Sequence, residues 1–468
     1  MNIILLSGGS GKRLWPLSND IRSKQFIKIF KKEVSAAQAG SSGTGTAGSA
    51  EDSAVSDYED EHESMVQRVY RKIREIDPEA TVTVATGKSQ VSAIHNQLGD
   101  DVGISVEPCR RDTFPAIALA TAYLHDVKGV GLDEPVVVCP VDPYVEDDYF
   151  RALQQLGKLA ARGGSNLVLM GMEPTYPSEK YGYIIPENAD PVAAVKTFKE
   201  KPDAETAVKY ISEGALWNAG IFAYRLGYVL EKAHERLVFE DYYDLYQHYD
   251  AVEKISFDYA VVEQEPSISV MRFSGLWKDL GTWNTLTEAM EEETIGDVTL
   301  DSACTNVHVI NQLDLPILGA GLHDLVVAAS PDGILVSDLG QSSYIKPLVD
   351  QIEQPVRYAE KSWGSYQVID IEDGSMTIKV TLQPGHAMNY HSHDRRDEVW
   401  TIVSGTGRTT VDGMEQEVGA GDVITMQAGC RHMIWNTGSV PLQVIEVQLG
   451  RDIDAADKHK YRAEGSHG

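Results

Sequence analysis

Cysteine, positive charge and long apolar runs are all scarce in this sequence. Its 468 residues hold only four cysteines, Cys109, Cys139, Cys304 and Cys430, scattered with no CxxC pair. That set excludes a dense disulfide framework and suits a reducing compartment, so the cytoplasm is the expectation. Lys and Arg number 41 against 70 Asp and Glu, a formal net charge of -29. Non-specific binding to nucleic acid or to an anionic membrane needs a broad positive surface, and this composition speaks against both. An anionic ligand would need a local basic pocket. The apolar run Ile3 to Leu6 follows no basic leader and is far too short for a signal or a membrane span. It reads as a buried strand.

What is present has three textures, in line with a length that suggests two or three domains. Over residues 1–294, buried-strand runs such as TVTVAT (81–86), VVVCPV (136–141), NLVLMG (166–171) and GIFAYR (220–225) alternate with helical stretches at 65–76, 115–127 and 205–214. The alternation predicts a largely parallel, Rossmann-like α/β sheet. Residues 35–62 interrupt it with Ser, Gly, Ala and Thr, too little apolar surface to offset ordering entropy, and read as a flexible insertion. Residues 295–354 are short β-rich runs separated by Gly, Pro and Asp, a connector. From 355 to 452, short strands with turns every eight to twelve residues indicate a small β-barrel.

The first strand runs into Gly8-Gly9-Ser10-Gly11-Lys12-Arg13. A dinucleotide fingerprint fails because no third glycine follows, and a Walker A loop fails because Leu6 stands where its first glycine belongs. The physical content remains: glycines let backbone N–H groups approach an anion, and Lys12, Arg13, Arg22 and Lys24 concentrate positive charge within one short span.

GGSGKRLWPLS followed by KQF (24–26) resembles the signature of sugar-1-phosphate nucleotidyltransferases, specifically the mannose-1-phosphate guanylyltransferases. Further matches follow in order: ESMVQRVY (63–70), EPCRRDTFPAIALA (107–120), YGYI (181–184), FKEKPD (198–203), LWNAGIF (216–222), FDYAVVE (257–263) and WKDLGTW (277–283). Asp112, Phe114 and Pro143 depart from the commonest pattern. The resemblance implies transfer of GMP from GTP to mannose 1-phosphate, with GDP-mannose and pyrophosphate as products. It gives Arg13 and Lys24, with the glycine turn, the triphosphate. It gives Asp142 and Asp279 a magnesium ion, which suits hard carboxylate oxygens. Asp142 also follows an apolar run, at the strand end where open α/β sheets bind ligands. Gly182, Glu200, Lys201 and Asn218 fall to the sugar phosphate, with Lys201 as a point charge on the attacking phosphate. Glu107, Arg111 and Thr113 are candidates for the base. Without the resemblance, FKEKPD reads as a solvated strand end before a proline turn.

A second constellation lies in PGHAMNYHSHDRRDEVW. His391 and His393 are two apart, hence on one face of an extended strand, Glu398 follows a short turn, and His432 comes from a later strand. Three imidazoles and a carboxylate suit zinc or another divalent transition metal. The spacing from Gly385 to Gly405 and the run Gly421 to Asn436 resemble the two cupin motifs, with Gln427 in place of a proline. In the guanylyltransferase family such a tail is the type II mannose-6-phosphate isomerase domain, matched here also by Trp363-Gly364, Lys379, Arg396, Trp400 and IEVQLG. His391 and Arg395 replace Gln and His of well-known bifunctional members. An active isomerase, with Lys379 and Arg396 as candidates, and a metal-binding cupin without that activity both stay open. So does a homo-oligomer.

Overall fold

The computed structural model describes residues 1–9, 12–19, 21–32, 61–451 and 453–461. Ser10, Gly11 and residues 35–60 of the expected insertion lie outside them. No helix among the described residues is long and apolar enough to cross a membrane.

Nine strands form the main sheet, in the spatial order Gly103–Glu107, Thr81–Gly87, Asn2–Ser7, Pro135–Pro140, Leu216–Arg225, Leu167–Met172, Ile268–Phe273, Val192–Lys199 and Gly182–Pro186. The first four are parallel, Ile3 opposite Val82 on one side and Val137 on the other. Leu216–Arg225 then enters antiparallel to both neighbours, and the far edge continues in mixed directions. The expectation of a largely parallel sheet is corrected to a mixed one. Continuous apolar runs report burial on both faces, and direction depends on connections the runs do not encode.

Helices cover the sheet where their patterns demand it. Met65–Ile76 starts in a capping box between Ser64 and Gln67 and buries Val66, Val69 and Ile73 against the core. Thr113–Ala122 continues into a wider helical turn over Tyr123–Val127. Because the first four strands run the same way, their carboxyl ends gather Ser7, Gly87, Glu107 and Pro140 at one edge of the sheet. Gly8, Gly9 and Asp142 follow directly.

The connector is a stack of parallel strands, Thr294–Ile295, Thr305–Asn311 and His323–Ser330, with Val298–Leu300 beside Ile317–Gly319. It braces the segment that follows the glycine turn. Trp15 packs so closely on Gly333 that a Cβ there would lie 2.5 Å from the indole, and Ser330 donates to the Pro16 carbonyl at 2.7 Å.

Beyond it, two sheets face each other as a barrel. One runs Tyr358–Lys361, Gly364–Glu372, Ser375–Leu382, Leu442–Gly450, Arg396–Ser404 and Val423–Met426; the other runs Met414–Gly419, Thr406–Val411, His432–Asn436, His391–Ser392 and His459–Lys460. Val380, Leu382, Trp400, Ile402, Ile434, Leu442 and Val444 fill the interior. Strand His459–Lys460 lies past residue 452, where the sequence reading ended the barrel.

Candidate functional sites

At the sheet edge, Lys24 Nζ lies 2.8 Å from Asp142 Oδ2 and 3.7 Å from Asp279 Oδ1, and it donates to the Leu280 carbonyl at 3.4 Å. Local pairing creates this group. Pro143–Val145 pairs antiparallel with Trp277–Asp279 so that Asp279 sits opposite Pro143, hence beside Asp142. Burial would lower the Lys24 ammonium, but Asp142 and Asp279 outweigh it and the net shift is upward. Burial raises the Asp279 carboxyl against the pull of Lys24. Two hard carboxylates converging on one cation fit a magnesium ion, the lysine marking where positive charge belongs.

The glycine turn adjoins this group. Gly9 takes φ 125°, open to glycine and strained for other residues, and its carbonyl accepts from Ser23 Oγ at 3.1 Å and Arg110 at 3.3 Å. Arg13 is exposed and its charge acts on both Lys24 and Asp279. Lys12 Nζ turns aside to Asp350 of the connector at 3.2 Å.

The expected sugar-phosphate residues converge. Asn218 pairs opposite Gly182, and a Cβ on Gly182 would come within 2.4 Å of Glu200 Oε2, so glycine is a steric need there. Glu200 is 9% exposed, with Oε1 accepting from Lys201 at 2.6 Å and Oε2 buried without a partner. Lys201 holds φ 43°, a strained conformation for a side-chain-bearing residue.

Asp258, in the FDYAVVE segment, completes this cluster and is not distinguished by its sequence context. Asn218 Nδ2 donates to its carboxylate at 2.6 Å, and burial, then the charge of Glu200, push its pKa up to about 6. Tyr181 links the two clusters, its ring centroid 5.0 Å from Trp217 and 5.5 Å from Trp277. Burial, then the charge of Asp279, raises its phenol. The three aromatics belong to the YGYI, LWNAGIF and WKDLGTW segments.

The candidate base residues lean on one neighbouring segment. Glu107 Oε2 accepts from Tyr249 OH at 2.9 Å, Arg111 donates to the Tyr249 and Asp250 carbonyls, and Thr113 Oγ1 accepts from Phe257 N at 2.8 Å. Burial raises the Glu107 carboxyl.

In the barrel, His391, His393, Glu398 and His432 are all buried, and each offers a ligand atom within 4.8 Å of the others'. The backbone fixes the rings. His391 Nδ1 meets the Asn389 carbonyl at 2.6 Å, His393 Nδ1 that of Asp457 at 2.7 Å, and His432 Nδ1 that of Cys430 at 3.0 Å. A carbonyl only accepts, so each Nδ1 carries the proton and each Nε2 is left as an acceptor. Glu398 sets its oxygens 3.1 Å from His393 Nε2 and 3.2 Å from His432 Nε2, and the latter nitrogen has no hydrogen-bond partner. Between His432 and Glu398, lone pairs facing lone pairs at that distance call for a cation, and ligand atoms about 3 Å apart suit metal bonds of about 2 Å. The donor set fits a divalent transition metal.

Arg396 donates to Glu398 at 3.1 Å and to His393 Nε2 at 3.1 Å, so the guanidinium lies on two members of the cluster itself. Lys379 is corrected. On Ser375–Leu382 the interior positions are Ile378 and Val380, and Lys379 between them is exposed on the outer face, because successive strand residues alternate sides. Burial, then the charge of Lys458, drives the His391 imidazole down to about 2. Glu446 and Gln448, inside the quoted IEVQLG run, also face the barrel interior. Burial, then the charge of Glu398, pushes Glu446 up to about 8.

Comparison with known proteins agrees with this two-part layout. The nucleotidyl transferase family model matches residues 2–295, and the mannose-6-phosphate isomerase C-terminal model matches residues 350–462. The chain belongs to the nucleotidyl transferase family and is an enzyme of that class. A mannose-1-phosphate guanylyltransferase of Escherichia coli K12 is 29% identical, with 97% of this chain and 96% of that protein covered. The alginate biosynthesis protein AlgA of Pseudomonas putida is 28% identical over 98% and 95% of the two chains. A crystal structure described as mannose-1-phosphate geranyltransferase from Thermus thermophilus superposes with TM-score 0.58 at 24% identity, covering 75% of this chain and 98% of that one. This likeness shows a shared fold.

Proposed function

We propose that the protein transfers GMP from GTP to α-D-mannose 1-phosphate, releasing pyrophosphate and forming GDP-mannose in the cytoplasm. The observation that carries this reading is the convergence of Asp142, Asp279 and Lys24 beside the glycine turn. The names of the full-length relatives support the choice of sugar and nucleotide. The reaction is an in-line displacement at the α-phosphorus, so positioning two anions and neutralising their repulsion is most of the catalytic task. Gly8, Gly9, Arg13 and Lys24 hold the triphosphate. Glu200, Asp258 and Asn218 accept and donate hydrogen bonds to sugar hydroxyls, and Lys201 swings from Glu200 to the incoming phosphate. Magnesium bound by Asp142 and Asp279 would neutralise charge developing on the phosphates.

Pyrophosphate release measured for GTP, ATP, UTP and dTTP against a panel of sugar 1-phosphates tests this. GTP with mannose 1-phosphate should be preferred, and release with another pair alone would contradict the reading. In the same assay Lys201→Ala should raise KM for mannose 1-phosphate more than for GTP.

The barrel supports a second reading. The three-histidine, one-glutamate cluster, with Glu446 kept protonated at neutral pH beside it, suits interconversion of mannose 6-phosphate and fructose 6-phosphate. Zinc or a related ion there would polarise the sugar carbonyl. Conversion by the zinc-loaded full chain supports this reading; its absence leaves a metal-binding barrel without that activity. We take residues 1–294 as the transferase unit, 295–354 as the connector and 355–452, extended by the strand His459–Lys460, as the cupin unit.

A further inference from the structure

Residues 453–461 leave the barrel at Gly450 and return across the four-residue cluster. Strand His459–Lys460 pairs with His391–Ser392, placing Lys460 opposite the ligand His391. Asp457, 4% exposed, contributes from both its backbone and its side chain. Its carbonyl accepts the Nδ1 proton of His393 at 2.7 Å, and its carboxylate accepts from the backbone N–H groups of Asp394 and Arg395, each at 3.1 Å. The Asp454 carbonyl accepts from Arg396 at 3.1 Å. Further out, Ser392 Oγ meets Tyr461 OH at 3.0 Å, Tyr461 N donates to the Tyr390 carbonyl at 2.8 Å, and the Arg431 guanidinium lies 4.2 Å from the Tyr461 ring centre.

The other two ligand histidines take their orienting carbonyls from Asn389 and Cys430, residues two positions away in sequence. His393 takes its carbonyl from a residue 64 positions along the chain. One ligand of the set is therefore aimed only when a distant segment is in place.

We propose that residues 453–461 form a clasp that completes the cupin metal site, with Asp457 the positioning residue that sets the tautomer and direction of His393. This rests on the reading of His391, His393, Glu398 and His432 as metal ligands. The clasp is added after the barrel's last long strand, so a barrel ending at Gly450 keeps its apolar core, which contains no residue of the segment. Orienting partners of ligand histidines typically govern metal affinity by about 10–100-fold.

The test is a Co2+ titration of the full chain, of a chain ended after residue 452, and of Asp457→Ala, read by ligand-field absorption with Zn2+ competition. Near-UV circular dichroism and pyrophosphate release serve as fold controls. The full chain is expected to bind one Co2+ per chain. The shortened chain should bind at least about 10-fold more weakly, with a changed absorption envelope. Asp457→Ala keeps the carbonyl but frees its anchor, and should fall between the two. Pyrophosphate release should be unchanged in all three. Equal affinity and identical spectra for full and shortened chains would overturn the clasp while leaving the metal reading intact. Absence of Co2+ binding by the full chain would overturn both. If the shortened chain loses its cupin dichroism, Asp457→Ala decides alone, parent-like affinity and spectrum overturning the proposal.

Discussion

The two acidic centres of this molecule are built on opposite plans. At the sheet edge, Asp142 and Asp279 are about one-third and two-fifths exposed, and a lysine on a flexible stem shares their charge. In the barrel, Glu398 and two of its histidine neighbours are 2% exposed at the side chain, each ring held by a backbone carbonyl. The first plan suits an ion that arrives with a phosphate substrate and leaves with product, since oxygen ligands and partial hydration bind magnesium weakly and reversibly. The second suits a resident transition metal, because oriented nitrogens present their lone pairs before the ion arrives.

The largest expected effect breaks the first centre alone. Asp279→Asn keeps the shape and removes the charge, and should lower kcat for pyrophosphate release by about 10²–10³-fold, a loss of several kcal/mol of charge stabilisation. Cobalt binding at the barrel should not change. Next, Glu398→Gln should weaken Co2+ binding by more than about 100-fold, since it removes a ligand rather than an orienting partner, while leaving kcat for GTP untouched. Metal titration beside transferase kinetics on both variants makes the comparison quantitative.

A smaller effect sharpens the sugar side of the first centre. Gly182→Ala pushes a methyl group toward Glu200 Oε2. KM for mannose 1-phosphate should rise about ten-fold, equivalent to about 1.4 kcal/mol of binding, with KM for GTP little changed. An equal rise for both substrates would detach Glu200 from the sugar.

The smallest effect concerns pH. Asp258 has its pKa raised from 3.8 to about 6, so its neutral form is favoured in the folded chain. That contribution to stability is fully present below about pH 4 and is lost as pH rises through about 6. Asp258→Asn mimics the neutral acid and should melt a few degrees above the parent at pH 8, the gap closing toward pH 4. Glu200 and Lys201 face the same carboxyl, the charge of Glu200 raising its pKa and that of Lys201 opposing the rise.

Much of this was legible in the sequence, in proportion to how local the information was. Helix 65–76 was legible from its apolar spacing, and its residues Met65–Ile76 match. The strand at 81–86 appears as Thr81–Gly87. The grouping of the four barrel residues was legible because His391, His393 and Glu398 are close in sequence and His432 falls in the second of the two cupin-like runs. Strand direction was not, since an apolar run such as GIFAYR has the same pattern in either sense. Asp258 was hidden because an aspartate near a helix start reads as a cap; only its contact with Asn218, 40 residues away, marks it. Asp457 was hidden for a stronger reason: its carbonyl, a feature every residue shares, is what reaches His393. Lys379 misled because its motif match carries no information about which face of the strand it occupies.

The most direct test is pyrophosphate release from GTP and mannose 1-phosphate by the Asp279→Asn and Glu398→Gln chains, side by side at saturating magnesium. The account predicts near-complete loss for Asp279→Asn and the parental rate for Glu398→Gln. A parental rate for Asp279→Asn would contradict it.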